Sequence, residues 1–341
     1  MSRIVGLLMI TMGLASSACE YSRLAGYEDT NDAERLAFEP FGTVTVQAAF
    51  DINGEGSNID QIAFWEAPDP DDTLMFVSAK GNDLIEVWHF PFVSNGQTPL
   101  THSSLNRLNG VSSDNQTDIL YAATRSAVRM FSLPDLQFQG TINAGGGTDD
   151  TLPSEPSTTI LNLPSGEARL YTSQDREILI HNAETGVFIG RFDTVTGIEG
   201  IAADDFYQLI YTLDEGGTGV HVHDPDGAHV ANFGNGDFQS DGEGILIYSC
   251  RNASGQDDGR GLIVASDQIG SQTDFEFYDR QTGEHLGILR LVGVSNTDGI
   301  ASTQEPLPGY PMGLFAAIND DTSTAGVGWD VIFNATGLSC F

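Results

Sequence analysis

Positive charge is what this sequence has least of. It carries 14 lysines and arginines against 48 aspartates and glutamates, a formal net charge of −34 at pH 7. Phosphate backbones and anionic lipids are held by clustered bases, so this balance excludes nucleic acid or an anionic lipid as the main partner. It favours cation binding and solubility. The acids are dispersed rather than blocked, which excludes a disordered acidic tail. Cysteine is scarce, at three residues. Beyond the N-terminus no run stays apolar for the length that a membrane-spanning helix needs. Familiar signatures are missing as well. There is no Gly-x-Ser-x-Gly elbow for a serine nucleophile, no P-loop Gly-Lys-Ser/Thr and no EF-hand loop. Gly145-Gly146-Gly147 has no following lysine and reads as a flexible loop.

What is present starts with a targeting segment. Arg3 supplies a basic n-region, Ile4 to Leu14 is an apolar run too short to span a bilayer, and Ala15-Ser16-Ser17-Ala18 is a small-residue cleavage region. Cys19 follows at once, and the whole is similar to a bacterial lipoprotein box with Ser16 where a Leu is usual. The expectation is a signal peptide over 1–18, lipidation of Cys19, and an exported protein. It would be anchored to the outer membrane through that lipid alone, or released to the periplasm or medium; ordinary secretion is the alternative. With Cys19 used, Cys250 and Cys340 remain, and an oxidising compartment favours one disulfide between them over two buried free thiols.

Residues 19–42 are polar and read as a linker. From Thr43 to the end, short runs of Val, Ile, Leu, Tyr and Phe are broken every few residues by Gly, Asn, Asp or Pro, the pattern of many short strands. With 40% apolar residues the chain can bury a full core. A strand-turn-strand unit recurs in "LIEVWHFPF", "AVRMFSLPDLQFQGTI", "EILIHNAETGVFIGRF", "GVHVHDPDGAHVANF" and "FEFYDRQTGEHLGILRL". Aligned on Trp88, Phe131, His181, His223 and Tyr278, the steps are 43, 50, 42 and 55 residues, and a further 51 lands on Trp329. Periods of this size mean propeller blades, so the fold class is all-β, a six-bladed β-propeller over 43–341. "AETG", "DPDG" and "RQTG" supply the turn residues. Thr43 to Val46 is expected to join the last blade and close the ring.

A propeller brings the ends of its inner strands together around a central channel, so acids that recur once per blade are informative. Asp60 precedes "QIAFW"; Glu199 stands in "GIEGIAADD"; Glu215 ends "LIYTLDE"; Asp241 and Glu243 stand in "DGEGILIY"; Gln268 ends "GLIVASDQ"; Asp298 opens "TDGIAST"; Asp320 ends "GLFAAIND". Calcium takes six to eight oxygens, which convergence from several blades would provide without a continuous motif. The few bases near the same loops are Lys80, Arg107 and Arg125, the candidates to hold an anion such as phosphate. His221 and His223 share a strand face. They offer a zinc pair with no third ligand, or ordinary surface histidines.

Three stretches make the chain similar to a known family: "IEGIAADDFYQLIYTLDE", "DGEGILIY…GLIVASDQ…FYDRQTGE" and "TDGIAST…PLPGYPMGLFAAINDD". It resembles the β-propeller phytases, six-bladed calcium-dependent phosphatases acting on myo-inositol hexakisphosphate, over roughly Asp60 to Trp329. The resemblance implies that Asp60, Glu199, Glu215, Asp241, Glu243 and Gln268 are calcium ligands, with Asp298 and Asp320 of the same kind. Of these, Asp60, Glu199, Glu215 and Glu243 would do the catalytic work. It implies that Lys80 and Arg125 grip substrate phosphate, with Arg107 nearby. The chain departs from the family in its third blade. There Gln174 stands for a lysine, with Arg176 close by as a substitute, and "PSEPSTTILN" holds no tyrosine. Asn109-Gly110-Val111-Ser112 stands for Asn-Asn-Val-Asp.

The function this implies is a monomeric, Ca2+-dependent phosphomonoesterase acting on phytate or a related small phosphate ester by direct attack of water. A non-catalytic calcium-binding propeller lipoprotein is the alternative. A calcium propeller lactonase stands third, because it needs a histidine base in the funnel.

Overall fold

The computed structural model describes residues 38–93, 97–125, 127–143, 156–174, 176–194, 196–214, 216 and 219–340. Within them the chain is almost entirely β, arranged as six blades around one axis. Two strands precede the first blade, β1 (Gly42–Val46) and β2 (Phe50–Asn53). Blade 1 is β3 (Ile59–Trp65), β4 (Leu74–Ala79), β5 (Leu84–His89) and β6 (Gln97–Thr101). Blade 2 is β7 (Leu108–Asp114), β8 (Ile119–Thr124), β9 (Ala127–Ser132) and β10 (Phe138–Asn143). Blade 3 is β11 (Thr158–Asn162), β12 (Ala168–Gln174), β13 (Glu177–Asn182) and β14 (Phe188–Asp193). Blade 4 is β15 (Ile198–Asp204), β16 (Leu209–Asp214), β17 (Val220–His223) and β18 (His229–Phe233). Blade 5 is β19 (Asp241–Arg251), β20 (Asp257–Ile269), β21 (Gln272–Asp279) and β22 (His285–Leu291). Blade 6 is β23 (Ile300–Thr303), β24 (Leu314–Asn319) and β25 (Ser323–Gly328), followed by one helix, α1 (Trp329–Thr336). The first strand of each blade is innermost, and β3, β7, β11, β15, β19 and β23 touch in a closed ring.

Six hydrophobic clusters hold the blades together, one at each interface. The repeat anchors belong to them or lie beside them. Trp88, Phe131 and Tyr278 are fully buried on third strands, and His181 and His223 are buried too. His223 is therefore not a surface residue: it packs its ring 4.7 Å from that of Phe192, on the outer strand of blade 3. Among the described residues no three His, Cys, Asp or Glu groups are placed to hold one metal, so His221 and His223 gain no third ligand. The sixth anchor differs from the others. Trp329 follows its third strand and opens α1, where the indole Nε1 donates to Ser302 Oγ at 2.8 Å.

Closure of the ring also differs from the sequence expectation. Thr43 to Val46 does form a strand, but it pairs in parallel with β22 as a fifth strand on blade 5, with Val44 opposite Leu289. The strand that completes blade 6 is β2, antiparallel to β25. The alternation of Thr43–Val46 records that it is a strand and carries no information about its partner. Packing begins before position 43, since Phe41 lies edge-on to Phe277 at 5.7 Å. Between β2 and β3, Gly54 and Gly56 leave room for the buried Glu86 carboxylate, which accepts the Gly56 N–H at 2.7 Å and the Trp88 indole N–H at 3.0 Å. Cys250 and Cys340 form a disulfide, Cα atoms 5.2 Å apart, tying the C-terminal segment to β19. Cys19 lies outside the described residues, as do Gly145–Gly147.

Candidate active site

Because second strands run antiparallel to inner strands, the starts of the inner strands and the ends of the second strands meet at one end of the propeller. A cavity of about 510 Å³ opens there and descends between the inner strands. Asp60, Glu199, Glu243 and Asp298 line it from four different blades, joined by Gln268, Asn296, Asp321 and Lys80.

The carboxylates reach the cavity through a shared local device. Each of β3, β7, β15 and β19 slips register at the position of its polar residue, between Ile59 and Ile62, Leu108 and Gly110, Ile198 and Gly200, and Gly242 and Ile245. A bulge of this kind re-aims a side chain that strict alternation would bury in the blade. The residue after the polar one is a glycine in Asn109-Gly110, Glu199-Gly200, Glu243-Gly244 and Asp298-Gly299. The reason is steric: a methyl group on Gly200 would stand 2.5 Å from the Glu243 carbonyl oxygen, and on Gly299 2.4 Å from that of Asp60. These glycines let neighbouring blades approach backbone to backbone at the axis. Gly299→Ala should therefore push blade 6 from blade 1, lowering stability by about 1–3 kcal/mol. Thermal denaturation checks this; an unchanged melting temperature would mean that the spacing is set elsewhere.

Charge is crowded along this crescent. Lys80 Nζ lies 2.6 Å from Asp60 Oδ2, and Asn109 Nδ2 donates to Asp60 Oδ1 at 3.0 Å. Gln268 Nε2 donates to Asp298 Oδ1 at 3.0 Å. Burial, then the charges of Glu199, Asp298, Asp60 and Asp241, push the Glu243 carboxyl up to about 9. Burial likewise raises Asp298, followed by Asp60 and Asp321, with Lys80 opposing. Lys80 is the one lysine in the chain and the one base among the described lining residues. The opposite wall, from blades 2 and 3, is uncharged: Ser112, Ser157, Thr158 and Thr159, with Gln61 Nε2 bonded to Ser157 Oγ at 2.8 Å.

Several sequence candidates stand elsewhere. Asp241 is outside the lining but near enough to act on Glu243. Asp320 is exposed, and its neighbour Asp321 faces the cavity instead. Both take left-handed conformations, φ +51° and +55°, in the β24–β25 turn, where the Asp321 carbonyl accepts the Ile59 N–H from blade 1 at 3.1 Å. Asp320-Asp321 read from sequence as a strand end, and only the turn geometry decides which of the two points inward. Arg107, Arg125 and Arg176 sit on loops at this same end, over blades 2 and 3, but are exposed and outside the lining. Glu215 and the side chain of Gln174 lie outside the described residues. No histidine lines the cavity among the described residues, which removes the base a lactonase would need. Sequence reading passed over Asn296 and Asp321; the recurring polar-Gly-Ile/Val triplet was the available signal for the ring of inner-strand bulges.

Comparison with known proteins gives one positive finding. Residues 180–335 match the family model described as Phytase. The matched span runs from β13 into α1 and includes Glu199, Glu243, Gln268, Asp298 and Asp321. It agrees with the resemblance to β-propeller phytases and points to a phosphatase of the phytase kind. No curated protein matches the chain.

Proposed function

We propose that the cavity is the active site of a calcium-dependent phosphomonoesterase acting on phytate or a related phosphate ester. The observation that supports it most is the crescent of carboxylates from four blades with a single lysine among them. Like charges held this closely, with Glu243 and Asp298 both forced toward the neutral form, are a demand for a hard cation. The donor set is all oxygen, which suits calcium. Asp60, Glu199, Glu243, Gln268, Asp298 and Asp321 would hold it, with Asp241 and Glu215 in reserve. Among the described residues no three acids close around one point, so part of any ion's shell is left to water and substrate. Calcium bound there offsets the repulsion between anionic substrate and anionic site, polarises the phosphoryl group and makes water a better nucleophile.

The protein's own groups do the rest. Lys80 donates to a phosphate oxygen while Asp60 fixes its position. The attacking water forms the new P–O bond as the ester P–O bond breaks; a crescent carboxylate accepts the water's proton, and the leaving alkoxide takes one up. The uncharged wall of blades 2 and 3 receives the alcohol. Release of inorganic phosphate from phytate, with calcium and with EGTA, tests this reading. Activity with calcium and its loss with chelator is the expected result. A protein that binds calcium yet releases no phosphate from any monoester would instead be a binding module.

A further inference from the structure

Among the described residues, most of the large exposed apolar side chains lie at the end of the propeller opposite the cavity. Val93, Phe138, Phe206 and the run Val187-Phe188-Ile189 are all exposed; Val93, Val187 and Phe206 lie on connections away from the mouth, and Phe138, Phe188 and Ile189 open the outer strands β10 and β14 at that same end. Val331, on α1, joins them, because β25 leaves the mouth and delivers the helix to the far end. Of the eight large apolar side chains exposed among the described residues, only Val292 is at the mouth end. Nothing in a turn as such favours one end of a propeller over the other, and the loops at the mouth are as long. The chain also enters at the far end. β22 runs toward the mouth and β1 is parallel to it, so Phe38 to Gly42 emerge on the far side, where the Phe41 N–H is held by the Leu286 carbonyl at 2.7 Å.

We infer that this far end is a docking face for a lipid bilayer, and that it holds the cavity pointing away from the membrane. The occupant follows from the sequence that leads into the face: a basic residue, an apolar run, a small-residue stretch and then Cys19. From Cys19 to Phe38 the chain reaches at most about 65 Å, so a lipid on Cys19 keeps the far end close to the bilayer. A lipid on Cys19 attaches the chain without orienting its body, and an apolar contact at the far end is what would fix how the propeller sits on the surface. With a net charge of −34 on the whole chain, a zwitterionic surface suits it better than an anionic one. This rests on lipidation and export, not on the reaction in the cavity, so it stands or falls apart from the proposed activity.

The test uses the lipidated chain, exported by a bacterial host, in phosphatidylcholine vesicles containing nitroxide-labelled lipid. One fluorophore is placed at Ile189→Cys and, separately, one at Thr322→Cys in the mouth-end turn. The expected result is strong quenching at 189 and none at 322, with Val187→Ser/Phe188→Ser reducing quenching of a probe at Phe206→Cys. Equal quenching at both ends, quenching at 322 alone, or none at either would overturn the inference. So would sedimentation showing that the face is covered by a second copy of the chain, or failure of the protein to associate with vesicles at all.

Discussion

Glu243→Gln should raise the melting temperature of the calcium-free protein while weakening its response to calcium. The sign follows from linkage. The folded-state carboxyl is raised to about 9 from 4.5, so the folded protein holds a proton that the unfolded chain releases. The contribution of Glu243 is fully present below the unfolded pKa and is lost as pH rises through the folded value. Between the two values the calcium-free folded protein must hold on Glu243 a proton that the solution would remove, and an amide, neutral at every pH, abolishes that cost. The same change deletes a proposed calcium ligand, and the calcium needed for half-maximal phosphate release should rise at least about tenfold. Melting curves in EGTA and calcium titrations of activity check the two halves. A calcium-free melting temperature that falls or stays constant would mean that the acids are not crowded in solution.

The second large effect is structural. Arg280 is buried between blades 4 and 5, far from the cavity. Its guanidinium donates Nε to Asp204 Oδ2 at 2.7 Å and Nη2 to Asp204 Oδ1 at 2.6 Å, and reaches both oxygens of Asp257 at 2.9 Å. The rings of Phe206 and Tyr207 lie 5.7 and 5.4 Å away. Arg280→Leu leaves Asp204, itself wholly buried, without its countercharge, and should cost about 3–5 kcal/mol of stability. Arg280→Lys keeps the charge but not the fork and should fall between. Chemical denaturation reads this directly; a loss below about 1 kcal/mol would show that water replaces the guanidinium.

How much of this was legible in the sequence depends on what each residue reports. Trp88, Phe131, His181, His223 and Tyr278 marked five blades because each fills the same buried position on a third strand, and burial constrains residue type. Trp329 kept the spacing but left the strand, since the last blade is completed by β2 and the chain is free to turn into a helix. Thr43–Val46 was expected on the last blade but lies on blade 5, and Phe50–Asn53 completes blade 6 in its place, because strand pairing across almost the whole chain leaves no local trace. At the site, Asp60, Glu199, Glu243 and Asp298 were readable as acids opening strands. Asp321 was not, because the choice between it and Asp320 is made by two left-handed residues in a turn. Arg107, Arg125 and Arg176 share an end of the molecule with Lys80, yet loop conformation keeps them out of the cavity.

Blade 6 joins residues 50–53 to residues 300–328. This seam sets an order of events during synthesis. The first five blades can stack as they emerge, but the ring stays an open arc until about nine-tenths of the chain has been delivered. Until then the flanks of blades 1 and 5 are bare, with Met75, Trp88 and Phe92 on one side and Phe275 and Phe277 on the other, side chains that the finished protein hides completely. Contacts this distant in sequence are slow to form and leave a sticky intermediate meanwhile. The Cys250–Cys340 bond can only latch once the last residues arrive. Truncation that cuts into β24 or β25 thus removes far more than a tail: it leaves a circle that never closes.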